Sequence, residues 1–213
     1  MGGPDGRRAY QQNACPNAGI CAKVCYARAG SYRFRPVRGR HKRNLVYVLD
    51  DLPGFTRQMI DEIGRKSCGT IVRVHDAGDF FSDAYLAWLT TMQGHPGSWF
   101  YCHTKEIRRF EKLVKPCPPS NLRWAYSYGG AQDHLLTSTG TGSSTSSRPS
   151  RHCAAGYHDQ SASDLLAVDG PAPVGIPANR IPPCLKLEGQ RTFRTWQHEA
   201  DAARNHLSRQ PST

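Results

Sequence analysis

Two periods of apolar and polar positions alternate along the chain from residue 44 onward. The run NLVYVL at 44–49 is unbroken and rich in β-branched residues, which predicts a strand. In PGFTRQMIDEIGRK, at 53–66, Phe55, Met59, Ile60 and Ile63 recur at helical spacing and Gly64 stands near the end, predicting a helix. TIVRVHDAGDF at 70–80 opens as a β-branched strand and breaks at Ala77 and Gly78. SDAYLAWLTTMQGHP then places Tyr85, Leu86, Leu89 and Met92 on one helical face behind Ser82 as N-cap. SWFYCHTK (98–105) reads as a strand, EIRRFEKLVKP as a helix ended by Pro116, and NLRWAYSYGG (121–130) as a strand running into glycines. Strands alternating with helices through short links are the mark of parallel β/α units, so the expected fold class is α/β. An open doubly wound sheet is one architecture for such a chain. The one favoured here is a TIM-barrel-like domain, complete or incomplete, carrying an N-terminal cysteine-rich loop.

This pattern divides a single domain of 213 residues into successive parts. A cysteine loop and basic segment occupy 14–43, the β/α core 44–135, a Ser/Thr/Gly-rich flexible insertion 136–151, a closing segment 152–205, and a disordered tail 206–213. A chain of this size buries a core without disulfide staples. It contains no apolar run of signal-peptide or bilayer length, so the expected setting is cytoplasmic with no membrane partner. The eight cysteines, at 15, 21, 25, 68, 102, 117, 153 and 184, are then expected as thiols or metal ligands.

Three of them change the picture, because Cys15, Cys21 and Cys25 fall within eleven positions. Paired zinc knuckles space their cysteines two residues apart, and no such pair exists here. An iron–sulfur cubane, 4Fe–4S, accommodates uneven spacing and normally takes four thiolates. Cys184, beside Pro182 and Pro183, is the first choice for the fourth ligand and Cys153 the second; an open iron is the third possibility, and a zinc-stabilised module the rival to any cluster. Cys68 and Cys102 read as buried small apolar residues.

The formal charge of +11 favours anionic partners, nucleic acid above all or another phosphorylated ligand. Much of the excess lies in one stretch, where Arg33, Arg35, Arg38, Arg40, Lys42 and Arg43 interleave with Tyr32 and Phe34. Arginines beside aromatics suit phosphate contact combined with base stacking. A solvated basic loop is the plainer reading of the same residues.

Ligands of parallel β/α folds gather at the carboxyl ends of the strands. His75, Asp76 and Asp79 follow one predicted strand, a set able to bind metal or to run acid–base chemistry. The plainer reading makes Asp76 or Asp79 a helix cap and His75 a core residue with a satisfied ring nitrogen. Gly129, Gly130 and Asp133 follow another predicted strand.

Cys15, Cys21 and Cys25, with Tyr26 after the last, resemble the cluster loop of radical S-adenosylmethionine enzymes. That resemblance implies a catalytic open iron beside His75, Asp76 and Asp79, and S-adenosylmethionine held by Gly129, Gly130 and Asp133. The spacing here, five residues then three, departs from that family's three then two. CYARAG, VRVHDAGDFFSDAYLAWL and FYCHTK together are similar to the gene product 88 family of bacteriophages, over roughly residues 10–130. This implies a phage-encoded protein in the host cytoplasm, with a host protein as a further partner.

Overall fold

The computed structural model describes residues 12–136, 142–146, 158–159, 163–170, 174–177 and 192–207. The chain divides into two compact units, one of Met1–Pro16, Ala27–Cys102 and Arg109–Arg123, the other of Asn17–Tyr26, His103–Arg108 and Trp124–Thr213. Among the described residues no helix is long and apolar enough to cross a membrane.

In the first unit, helix α1 (Arg35–Asp50) starts with Pro36 in its first turn, where a missing amide costs nothing and the fixed φ suits the helix. Helix α2 (Leu52–Gly64) begins one residue later, capped by Asp51, whose carboxylate accepts the Gly54 amide at 2.8 Å. The strand expected at 44–49 is therefore the second half of α1. Its β-branched run is overruled by packing, since Val48 is buried and the Tyr47 ring meets Phe55 of α2 edge-on at 5.8 Å.

Strand β1 (Ile71–Arg73) pairs in parallel with β2 (Trp99–Thr104), in the register Ile71 to Trp99, Val72 to Phe100 and Arg73 to Tyr101. Between them a 3₁₀ turn, Ala84–Ala87, leads into α3 (Trp88–Gln93), and the Ser82 hydroxyl accepts the Tyr85 amide as an N-cap does. After β2 a short α4 (Ile107–Arg109) continues as a π-helical stretch, Phe110–Val114. The Phe100 amide donates to the Asn121 carbonyl at 2.8 Å and brings the start of β3 (Leu122–Ser127) alongside β2. Val74, Phe80, Met92, Phe100, Cys102, Phe110 and Leu122 form the core of this unit. The Asn121 side-chain amide donates to three carbonyls between the end of α3 and the start of β2, those of Met92, His95 and Ser98, each at 2.9 Å.

In the second unit β3 continues beside β4 (Gly142–Ser146), then β6 (Val174–Pro177) and β5 (His158–Asp159), with β3–β4, β4–β6 and β6–β5 each paired in parallel. A short α5 (Leu166–Asp169) precedes β6, and the long α6 (Phe193–Leu207) follows it. Among the described residues β1 and β5 are the outermost strands and do not pair with each other, so the barrel is corrected to an open sheet, since closure requires that pairing. Strand β4 falls inside the segment expected to be a flexible insertion. The other residues of that segment from 137 on, and positions 208–213 of the expected tail, lie outside the described residues.

Candidate functional site

The cysteine loop belongs mainly to the second unit, where it is fastened to the turn after β3 and to α6. The Cys21 amide donates to the Gly129 carbonyl at 3.0 Å, and the Ala131 amide to the Asn17 carbonyl at 3.0 Å. The Gln197 Oε1 of α6 accepts the Ile20 amide at 2.6 Å, and its Nε2 donates to Asp201 at 2.9 Å. Ile20 and Val24 are buried, and Cys21 packs against the cluster of Val24, Tyr128 and Phe193. These contacts fix the course of the loop, and they leave Cys21 and Cys25 half-buried.

Cys15 lies in the first unit, its amide donating to Asn13 Oδ1 at 3.0 Å. Among the described residues no three His, Cys, Asp or Glu side chains are grouped to hold a metal ion. Cys153 and Cys184, the two candidates for a fourth ligand, lie outside the described residues. Cys102 is buried as expected, and burial with Asp79 beside it pushes its thiol pKa well up. Cys68 is corrected from buried to exposed; it follows α2 in a surface turn and its thiol donates to the Gly97 carbonyl at 3.6 Å.

Gly129, Gly130 and Asp133 do come together. One carboxylate oxygen of Asp133 accepts the Gly129 amide at 2.7 Å and the other accepts the Gly130 amide at 2.9 Å. The turn is closed by the chain's own carboxylate, so its two amides are already spent. Burial raises the Asp133 pKa, while the two amides and the Lys105 ammonium pull it back and Asp201 adds to the rise. Lys105 itself donates to the Ser127 hydroxyl at 2.7 Å. Gly129 stands at φ +93°, with Phe193 so close that a Cβ would sit 2.9 Å from its ring.

In the first unit, His75, Asp76 and Asp79 follow β1 as expected and then diverge. The His75 backbone is left-handed, φ +65°, which turns its ring inward against Phe80 at 4.5 Å and Tyr85 at 5.4 Å. Both ring nitrogens are shut off from solvent and make no hydrogen bond among the described residues, and burial lowers the ring's pKa to about 4. Asp79 is buried with its carboxylate on the Phe80 amide at 2.8 Å, whereas Asp76 is exposed. The plainer reading of His75 fits the ring's packing but not its expected satisfied nitrogen, since neither nitrogen has a partner among the described residues.

The basic segment forms a short 3₁₀ turn, Gly30–Arg33, and the first half of α1. Arg33, Arg35, Arg38, Arg40 and Arg43 are exposed, Lys42 is half-buried, and Phe34 between them is 64% exposed. From Gly6 to Leu49 the sequence contains no acidic residue. Helix periodicity distributes these cations around the axis rather than along one stripe, and the positive end of the helix dipole adds to their field.

Comparison with known proteins gives a family and no structural neighbour. No solved structure matches the chain. The Gene 88 protein of Mycobacterium phage L5 is 28% identical over 105 residues, a stretch covering 43% of each chain, so the match spans under half the length of that relative. The model of the gene product 88 family matches residues 2–206, and its reach from the cysteine loop through the sheet to α6 takes in both units: the chain belongs to the gene product 88 family.

Proposed function

We propose that this protein binds nucleic acid through the basic first half of α1. The observation that supports the reading is the exposure of Arg33, Arg35, Arg38, Arg40 and Arg43 on a segment with no acid from Gly6 to Leu49. An interior ion-pair network would bury such arginines or interleave them with carboxylates, and this segment does neither. Phosphates brought to the start of α1 meet guanidinium groups, free helix amides and the positive end of the dipole together. The exposed Phe34 ring beside them adds an apolar contact for a sugar or base.

Counterion release supplies the test. Binding of a labelled DNA duplex is followed by fluorescence anisotropy across a salt series, for the full chain and for a variant carrying Arg38→Gln, Arg40→Gln and Arg43→Gln. Each lost phosphate contact lowers the slope of log K against log salt by about 0.9, so the triple variant should lose about 2 to 3 from it. Gln keeps the helix propensity. Equal slopes in the two proteins, or no binding at low salt, would sink the reading.

A further inference from the structure

A parallel sheet is ordinarily covered on both faces. In the first unit one face of β1, β2 and the start of β3 is sealed, with Val72 half-buried and Phe100 and Leu122 at most 2% exposed. The alternate positions, Ile71, Arg73, Trp99, Tyr101 and Arg123, point to the opposite face. Ile71 is 51% exposed and Trp99 48%, and Arg73 and Arg123 are exposed as well. The parallel register sets Ile71 beside Trp99 and Arg73 beside Tyr101. The Arg123 guanidinium lies 5.0 Å from the centre of the Trp99 ring. None of the three strands contains an acidic residue.

From this arrangement we infer that the open sheet face is a stacking platform for the bases of single-stranded nucleic acid, with Trp99 and Tyr101 as the rings and Arg73 and Arg123 as phosphate contacts. The inference rests on the nucleic-acid reading and adds the class of ligand. Trp99 and Tyr101 are two residues apart on one strand, hence roughly 6.6 Å apart, a spacing comparable to that of successive bases in an extended strand. A duplex hides its base faces and cannot use such a platform, whereas every unpaired base offers one. The Arg123 guanidinium, held by the Ser120 and Leu122 carbonyls at 3.2 and 3.1 Å, places a fixed positive charge beside the Trp99 ring on this face. Charge argues against a second copy of the chain as occupant: a two-fold contact would set these arginines against themselves in a protein already at +11.

The test compares a labelled oligothymidylate with a duplex of equal length, by anisotropy and by quenching of tryptophan fluorescence, using the full chain and the variants Trp99→Leu and Trp99→Phe. The expected result is tighter binding of the single strand, quenching on binding, and a loss of about tenfold in single-strand affinity for Trp99→Leu. Trp99→Phe should recover most of that affinity, because a ring is needed rather than apolar bulk, and the salt slope should stay unchanged in both. Equal affinity for single strand and duplex, with Trp99→Leu harmless, overturns the platform and leaves the α1 reading intact. Retained single-strand binding and stacking in the α1 triple variant, with an unchanged salt slope, supports the platform while removing the α1 reading. A dimer in sedimentation that Trp99→Leu dissolves, with no change in oligonucleotide binding, assigns the face to a copy of the chain and overturns the inference.

Discussion

Acidification should expose the position of His75 more directly than any substitution. Burial holds the ring's pKa at about 4 in the fold, against 6.5 as its ordinary value. The folded value is the depressed one, so the unfolded chain takes up the proton first. The stabilising contribution is complete above about pH 6.5 and is lost as the pH falls toward about 4. Within that window the slope approaches about 1.4 kcal/mol per pH unit, which amounts to about 2 kcal/mol by pH 5. The comparison variant is His75→Asn, since asparagine tolerates the left-handed backbone at φ +65° and does not titrate. Its lost ring packing against Phe80 and Tyr85 should cost roughly 1–3 kcal/mol at neutral pH. Urea unfolding of both proteins, followed by tryptophan fluorescence and far-ultraviolet circular dichroism between about pH 7 and pH 5, should show that gap closing by about 2 kcal/mol. A gap that stays constant across the range would refute the reasoning, because it would mean that the protonated ring finds water or a partner inside the fold.

Gly129→Ala must meet both a left-handed backbone and the Phe193 ring, whereas Gly69→Ala, at φ +82° with nothing within 4 Å, meets the backbone strain alone. Denaturant titration should therefore place Gly129→Ala about 1–3 kcal/mol below Gly69→Ala, and equal midpoints would contradict the contact. Gln197→Leu removes the acceptor of the buried Ile20 amide and should cost about 1–3 kcal/mol of unfolding free energy; hydrogen exchange at Ile20 as slow as in the parent protein would contradict that bond's role.

The strand readings at 70, 98 and 121 and the helix at 53 were legible in the sequence, since each depends on the period of its own apolar residues. The HDAGD and YGGAQD segments were legible as strand ends for the same reason. What their side chains face was not: His75 turns inward because its φ is positive, and Asp133 spends its carboxylate on two glycine amides. NLVYVL reads as a strand by propensity, yet Tyr47 and Val48 gain more against Phe55 and its neighbours than a lone strand could offer. The spacing of Cys15, Cys21 and Cys25 was legible in the sequence, but the contacts that hold their loop in place were not. Contacts from Gly129 and Gln197, more than 100 positions away along the chain, turn Ile20 and Val24 into core and Cys21 into packing beside them. The open face was not legible either, because W-F-Y-C is apolar at every position and shows no alternation. Only the sheet, by sealing Phe100 and Leu122, decided that Trp99 and Arg123 would be left to solvent. Local period fixes an element and its two faces; which face finds a partner is a property of chain segments distant in sequence, and no local pattern encodes it.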